Sequence, residues 1–71
     1  MSRRERQVLD LLGQGMSVPV IARSLYVSHS TAKTYVARIY VKLGASNRSQ
    51  ALMTALSEGL LKQVPPSRLP A

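Results

Sequence analysis

Residues 28 to 44, Ser28-His29-Ser30-Thr31-Ala32-Lys33-Thr34-Tyr35-Val36-Ala37-Arg38-Ile39-Tyr40-Val41-Lys42-Leu43-Gly44, constrain the fold more than any other part of the chain. Ala32, Val36, Ile39 and Leu43 recur at offsets of four, three and four, which makes one apolar stripe at helical period. Such a stripe has to be covered, so other elements must pack on it. Ser30, Lys33, Thr34, Ala37, Arg38 and Val41 fall on the other face, which holds basic and small residues and no acid. A helix with that outer face suits the groove of a polyanion. Ser28 supplies an N-cap acceptor and Gly44 a residue tolerant of the left-handed C′ conformation, so both ends of the helix are specified.

The covering elements must come from a short chain. Seventy-one residues form one domain, of a size that buries only about 60% of its unfolded surface. There is no cysteine, which removes disulfide staples and thiolate metal sites and allows a reducing compartment. His29 is the only histidine and cannot build a zinc site alone. No apolar run approaches the ~20 residues that span a bilayer, and no signal-peptide pattern opens the chain, so a soluble, cytoplasmic protein is expected. Ten Lys plus Arg against three acids give a formal charge of +7, and no acid occurs between Asp10 and Glu58. Arg23, Lys33, Arg38, Lys42 and Arg48 lie inside that gap. A block of one sign points to a phosphate backbone or an anionic membrane surface, while an ordinary solvated basic surface gives the same composition.

Ser2-Arg3-Arg4-Glu5 has the form of a capping box and should start a first helix. Val8, Leu9, Leu11 and Leu12 supply its buried side, and Gly13-Gln14-Gly15 ends it with Gly15 at C′. Glu5 and Asp10 are expected as cap and surface charge rather than as catalytic acids. Ser17 can cap a second helix whose first turn accommodates Pro19, with Val20, Ile21, Ala22 and Leu25 facing inward. Tyr26-Val27-Ser28 leaves room only for a tight turn, so the second and third helices should cross steeply, as helix-turn-helix units do. Asn47-x-x-Gln50 offers a variant capping box for a fourth helix. Ala51, Leu52, Ala55, Leu56, Leu60 and Leu61 exceed what one core-facing stripe needs, which leaves some for an interface. The three methionines and the leucine-rich fourth helix are expected in the core, with an interface as their second use. Three of the four prolines fall in Val64 to Ala71, and residues 62–71 are expected as an irregular tail.

In this order the motifs resemble the LuxR-type (GerE-like) helix-turn-helix domain of bacterial transcription regulators. The residues that carry the resemblance are Ser2-x-Arg4-Glu5-Arg6-Gln7-Val8-Leu9, Gly15-Met16-Ser17, Ile21-Ala22-x-x-Leu25, Val27-Ser28, Thr31-x-Lys33-Thr34-x-Val36, Ile39-x-x-Lys42-Leu43-Gly44 and Asn47-Arg48-x-Gln50-Ala51. The match runs from residue 2 to about residue 61 with its spacings kept, which is far more specific than an isolated helix-turn-helix pattern. It implies an all-α, four-helix domain over 2–61, with the third helix, about 28–43, in the major groove of double-stranded DNA. It also implies a homodimer contact through the fourth helix, about 47–60, and an upstream sensor or receiver domain that is not part of this chain.

Carried over position by position, the resemblance places Lys33, Thr34 and Ala37 at base edges and Thr31, Arg38 and Lys42 at the DNA backbone. Arg23 and Arg48 join the backbone set through their places on the second and fourth helices. The chain departs from the family pattern at His29, where an acid is usual, at Tyr35, where histidine is common, and at Val18-Pro19-Val20, which replaces a polar run. His29 is open between a base-reading or pH-sensitive group and a solvated or phosphate-adjacent imidazole. Tyr35 is expected to pack between helices. No cofactor and no metal are called for, and no paired carboxylates, activated nucleophile or phosphate-cradling glycine loop suggest an enzyme. The main alternative is a helix-turn-helix used for protein interaction or dimerisation without DNA binding, and a membrane-surface peptide is a more remote one.

Overall fold

A computed structural model describes residues 1–61. It contains four helices and, among the described residues, no strand: α1 (Arg3–Gly13), α2 (Val18–Leu25), α3 (His29–Leu43) and α4 (Arg48–Ser57). The tail expected at 62–71 lies outside the described residues.

Each helix begins where its sequence allows. Ser2 and Glu5 form a complete capping box: the Glu5 amide donates to Ser2 Oγ at 3.1 Å and the Ser2 amide to Glu5 Oε1 at 2.9 Å. Ser28 Oγ accepts from the Thr31 amide and Asn47 Oδ1 from the Gln50 amide, at 3.1 and 2.9 Å. Gln50 does not close the second half of the expected box, because its Oε1 accepts from Ser46, one residue further out, at 2.7 Å. Ser17 occupies the N-cap of α2, yet its side chain caps nothing. Pro19 sits in the first turn, where its missing amide hydrogen costs no intrahelical bond.

All four helices end in the same way. A residue with positive φ follows the last turn, its amide returns to a carbonyl three residues back, and the next amide reaches five back. Gly15 and Met16 close α1 onto Leu12 and Leu11, and Gly44 and Ala45 close α3 onto Val41 and Tyr40. Gly59 and Leu60 close α4 onto Leu56 and Ala55. At the end of α2 the left-handed residue is Tyr26, with φ of 57°, and Tyr26 and Val27 bond Arg23 and Ala22. These are Schellman closures, and three of the four use the residue that suits them.

The core joins Val8, Leu9 and Leu12 of α1, Ile21 of α2, Val36 and Ile39 of α3, Leu52 and Ala55 of α4, and Leu61. Leu9, Leu12, Ile21, Ile39 and Val8 are the largest fully buried side chains, and each contributes about 1.5–3 kcal/mol by leaving water. The α3 stripe lies inward as its period requires, with Ala32, Val36 and Ile39 buried and Leu43 packed against the cluster. Helix α3 meets all three other helices, whereas α2 and α4 do not meet each other. Buried Ala22 keeps the α2 to α3 approach close.

The leucine-rich fourth helix lies in the core as expected, and little of it is left over: Ala51, Leu52, Ala55 and Leu61 are buried, and Leu56 and Leu60 pack on the core. Leu61 reaches back over α1, where a Cβ on Gly13 would stand 3.2 Å from Leu61 Cδ1, so Gly13 ends α1 and also makes room for the returning chain. Of the methionines only Met16 joins the core, while Met1 and Met53 are exposed.

Candidate nucleic-acid interface

Packing the apolar stripe inward leaves Ser30, Thr31, Lys33, Thr34, Ala37, Arg38, Val41 and Lys42 exposed along α3, with Arg23 exposed on α2. The structure therefore brings the expected base-facing set, Lys33, Thr34 and Ala37, together on one open face with Thr31 and Arg38 beside it. An open groove of about 360 Å³ runs along this face, lined by Thr34, Ala37, Arg38, Val41 and Lys42.

The two threonines are held in opposite senses. Ser28 Oγ donates to Thr31 Oγ1 at 2.9 Å, which leaves the Thr31 proton free to be donated outward. Thr34 Oγ1 donates to the Ser30 carbonyl one turn back at 3.0 Å, which leaves lone pairs and a methyl group facing out. Thr31 is thus set to give a hydrogen bond, as a phosphate oxygen needs. Thr34 is set to accept one, as from adenine N6 or cytosine N4, or to touch a thymine methyl.

The few acids are kept off this face. Glu5, the cap of α1, is only 4% exposed and also receives the Lys42 ammonium on Oε1 at 2.8 Å. Lys42, then the Ser2 amide and side chain, lower the Glu5 carboxyl from 4.5 to about 2, so the pair stays charged at neutral pH. Glu5 Oε2 is buried without a partner. The ammonium of Lys42 is drawn toward α1, although 46% of its side chain remains exposed. The other two acids, Asp10 and Glu58, both lie outside α2 and α3.

Arg48 is placed differently from the expectation. It is half-buried, and its Nη2 donates to the carbonyls of Leu12 and Met16, each at 2.7 Å. It therefore satisfies the C-terminal end of α1, which has no basic residue in its last turn to do so. Both the Glu5–Lys42 pair and the Arg48 bonds join residues far apart in sequence, and neither was foreseen. The missing charge at the end of α1 was the one local sign that a cation would come from elsewhere.

His29 and Tyr26 are exposed at the start of α3 and the end of α2, and Tyr35 is half-buried against the core. Among the described residues, no three His, Cys, Asp or Glu side chains come together, and no helix is long and apolar enough to cross a membrane.

Residues 1–55 match the family model for bacterial regulatory proteins of the luxR family. The chain is 49% identical over 61 residues to a probable transcriptional regulatory protein NarL of Mycobacterium tuberculosis, covering 86% of this chain and 28% of the relative. It is 36% identical over 62 residues to the spore germination protein GerE of Bacillus subtilis, covering 87% of this chain and 84% of that protein. Among solved structures, the LuxR-type receptor VqmA of Vibrio cholerae superposes with a TM-score of 0.82 at 33% identity, over 97% of this chain and 30% of VqmA. Measured against NarL, the chain spans just over a quarter of a longer regulator.

Proposed function

Because this chain belongs to the luxR family of bacterial regulatory proteins and is a LuxR-type helix-turn-helix DNA-binding domain, we infer that the exposed face of α3 enters the major groove of double-stranded DNA and reads its sequence there. The observation that carries this is the face itself: a 15-residue helix whose inner stripe is sealed in the core and whose outer side presents bases and hydroxyls without a single acid.

The sequence of events follows from the charges. The excess of cations steers the domain to the polyanion and aligns it. Arg23, Thr31 and Arg38 then fix the register on phosphates, and Lys33, Thr34 and Ala37 face base edges. Lysine donates to guanine O6 and N7, threonine accepts or makes apolar contact, and alanine leaves space. Lys42 adds a phosphate contact through the ammonium hydrogens that Glu5 leaves free. Arg48 acts first on α1 and meets phosphate only with the edge of its guanidinium that Leu12 and Met16 do not use.

Two copies pairing through α4, where Met53 is exposed, would read half-sites about one helical turn apart. In the full-length protein an upstream sensor or receiver domain governs that pairing, and the work is done in the bacterial cytoplasm. The rival, an interaction module without DNA binding, rested on spare apolar residues of α4; most of those are in the core. Selection of duplexes from a random pool at low salt tests the reading. A recurrent motif with two related half-sites is expected, and a pool that enriches nothing would contradict it.

A further inference from the structure

Val41 is 80% exposed on a helix whose other apolar side chains of similar size are at least half sealed. It sits seven residues after Thr34, two helical turns on, which returns it to within about 20° of the same face. With Ala37 between them, the Thr34 methyl, the Ala37 methyl and the Val41 isopropyl group form a row of carbon along the groove. Lys42 also lines the groove, but its ammonium is anchored on Glu5, so what it offers there is its methylene stem. The lining is thus almost wholly apolar, while Lys33 and Arg38 flank it with positive charge.

Resting on the DNA-binding reading above, we propose that Val41 is a further specificity-determining residue, which reads the C5-methyl group of a thymine in the major groove. Thymine is the base that shows carbon there, so an apolar strip between cations selects it by exclusion of water rather than by hydrogen bonds. The rise of the helix separates Val41 from Thr34 by about 10.5 Å. That distance is at most about three base steps of the duplex, the full value being reached with the helix parallel to the duplex axis. The thymine met by Val41 therefore lies no more than about three steps from the base met by Thr34.

The test replaces thymine by uracil, which removes the methyl and nothing else. A duplex selected by the domain itself is resynthesised with single deoxyuridines for thymidines, and affinities are measured for the wild type, Val41→Ala and Thr34→Ser. For the wild type, uracil at the Val41 position should weaken binding about fourfold, the equivalent of one buried methyl group. Val41→Ala should bind the thymine and uracil duplexes equally at that position and keep wild-type discrimination elsewhere. Thr34→Ser should lose its methyl sensitivity no more than about three steps away. If Val41→Ala keeps the wild-type thymine-to-uracil ratio at every position, the proposal is overturned while DNA binding by α3 stands. If the wild type enriches no duplex at all, both fall together. Because Val41 is exposed, the variant should melt no lower than the wild type, which separates a lost contact from a lost fold.

Discussion

Tyr26 holds the turn between α2 and α3 in a conformation that only glycine adopts freely, and Tyr26→Gly should therefore stabilise the domain. Its φ of 57° brings Cβ against the following carbonyl, while its ring, 97% exposed, makes almost no compensating contact. Relief of the left-handed penalty is worth about 1–2 kcal/mol. The greater freedom of glycine in the unfolded chain takes back roughly 0.5–1 kcal/mol. The net gain, about 0.75 kcal/mol from the midpoints of the two ranges, is a rise in Tm of about 3–6 °C for a domain of this size. Gly44→Ala supplies the reverse experiment at the end of α3. Its φ is +64° and a Cβ there would meet nothing within 4 Å, so the loss, about 1 kcal/mol, is conformational alone. Thermal and urea melts followed by circular dichroism measure both. A Tyr26→Gly domain that melts lower than the wild type would refute the reasoning, since it would show that the exposed ring holds the turn through contacts the structure lacks.

The remaining predictions concern the charged side chains. Glu5 titrates at about 2 when folded and near 4.5 otherwise. Its pairing therefore stabilises the fold above about pH 4.5, and that contribution disappears as pH falls toward 2. Glu5→Gln should flatten that part of a Tm-against-pH curve, and an unchanged slope would contradict the assignment. Arg48→Ala removes two charge-assisted bonds to the end of α1 and should destabilise the domain by about 1.5–3 kcal/mol. An unaltered melt with a shallower salt dependence of DNA binding would make Arg48 a phosphate ligand instead. Lys33→Ala should weaken DNA binding by about 1–3 kcal/mol and relax preference at one or two base positions. Equal weakening on all sequences, with a salt slope reduced by about 0.9, would assign Lys33 to the backbone.

Local signals made most of the fold legible. Periodicity placed the α3 stripe inward, and Ser2, Ser28, Asn47, Gly15 and Gly44 marked helix ends because each acts on amides or carbonyls a few residues away. Where the sequence misled, the cause was a partner distant in the chain or a rule broken locally. Glu5 has every mark of an N-terminal cap, and nothing near it reveals that Lys42 buries it from 37 residues away. Arg48 follows a helix cap and resembles a free cation until α1 is placed beside it. Tyr26 hides a left-handed turn that glycine would have announced. The apolar residues of α4 outnumber one stripe because the returning segment at Leu61 enlarges the core in a way helix period alone does not count. The outer face of α3 was legible as a set of residues, but the opposite settings of the Thr31 and Thr34 hydroxyls emerged only with the helix built.

The central claim is that the outer face of α3 is the surface that meets DNA. Titrating the isotopically labelled domain with its selected duplex, and following backbone and side-chain NMR shifts, tests it directly. The largest changes should fall on Thr31, Lys33, Thr34, Ala37 and Arg38, with Val8, Leu9 and Ile39 in the core nearly still. Shifts concentrated on α4 with α3 unmoved, or none at low salt, would contradict it.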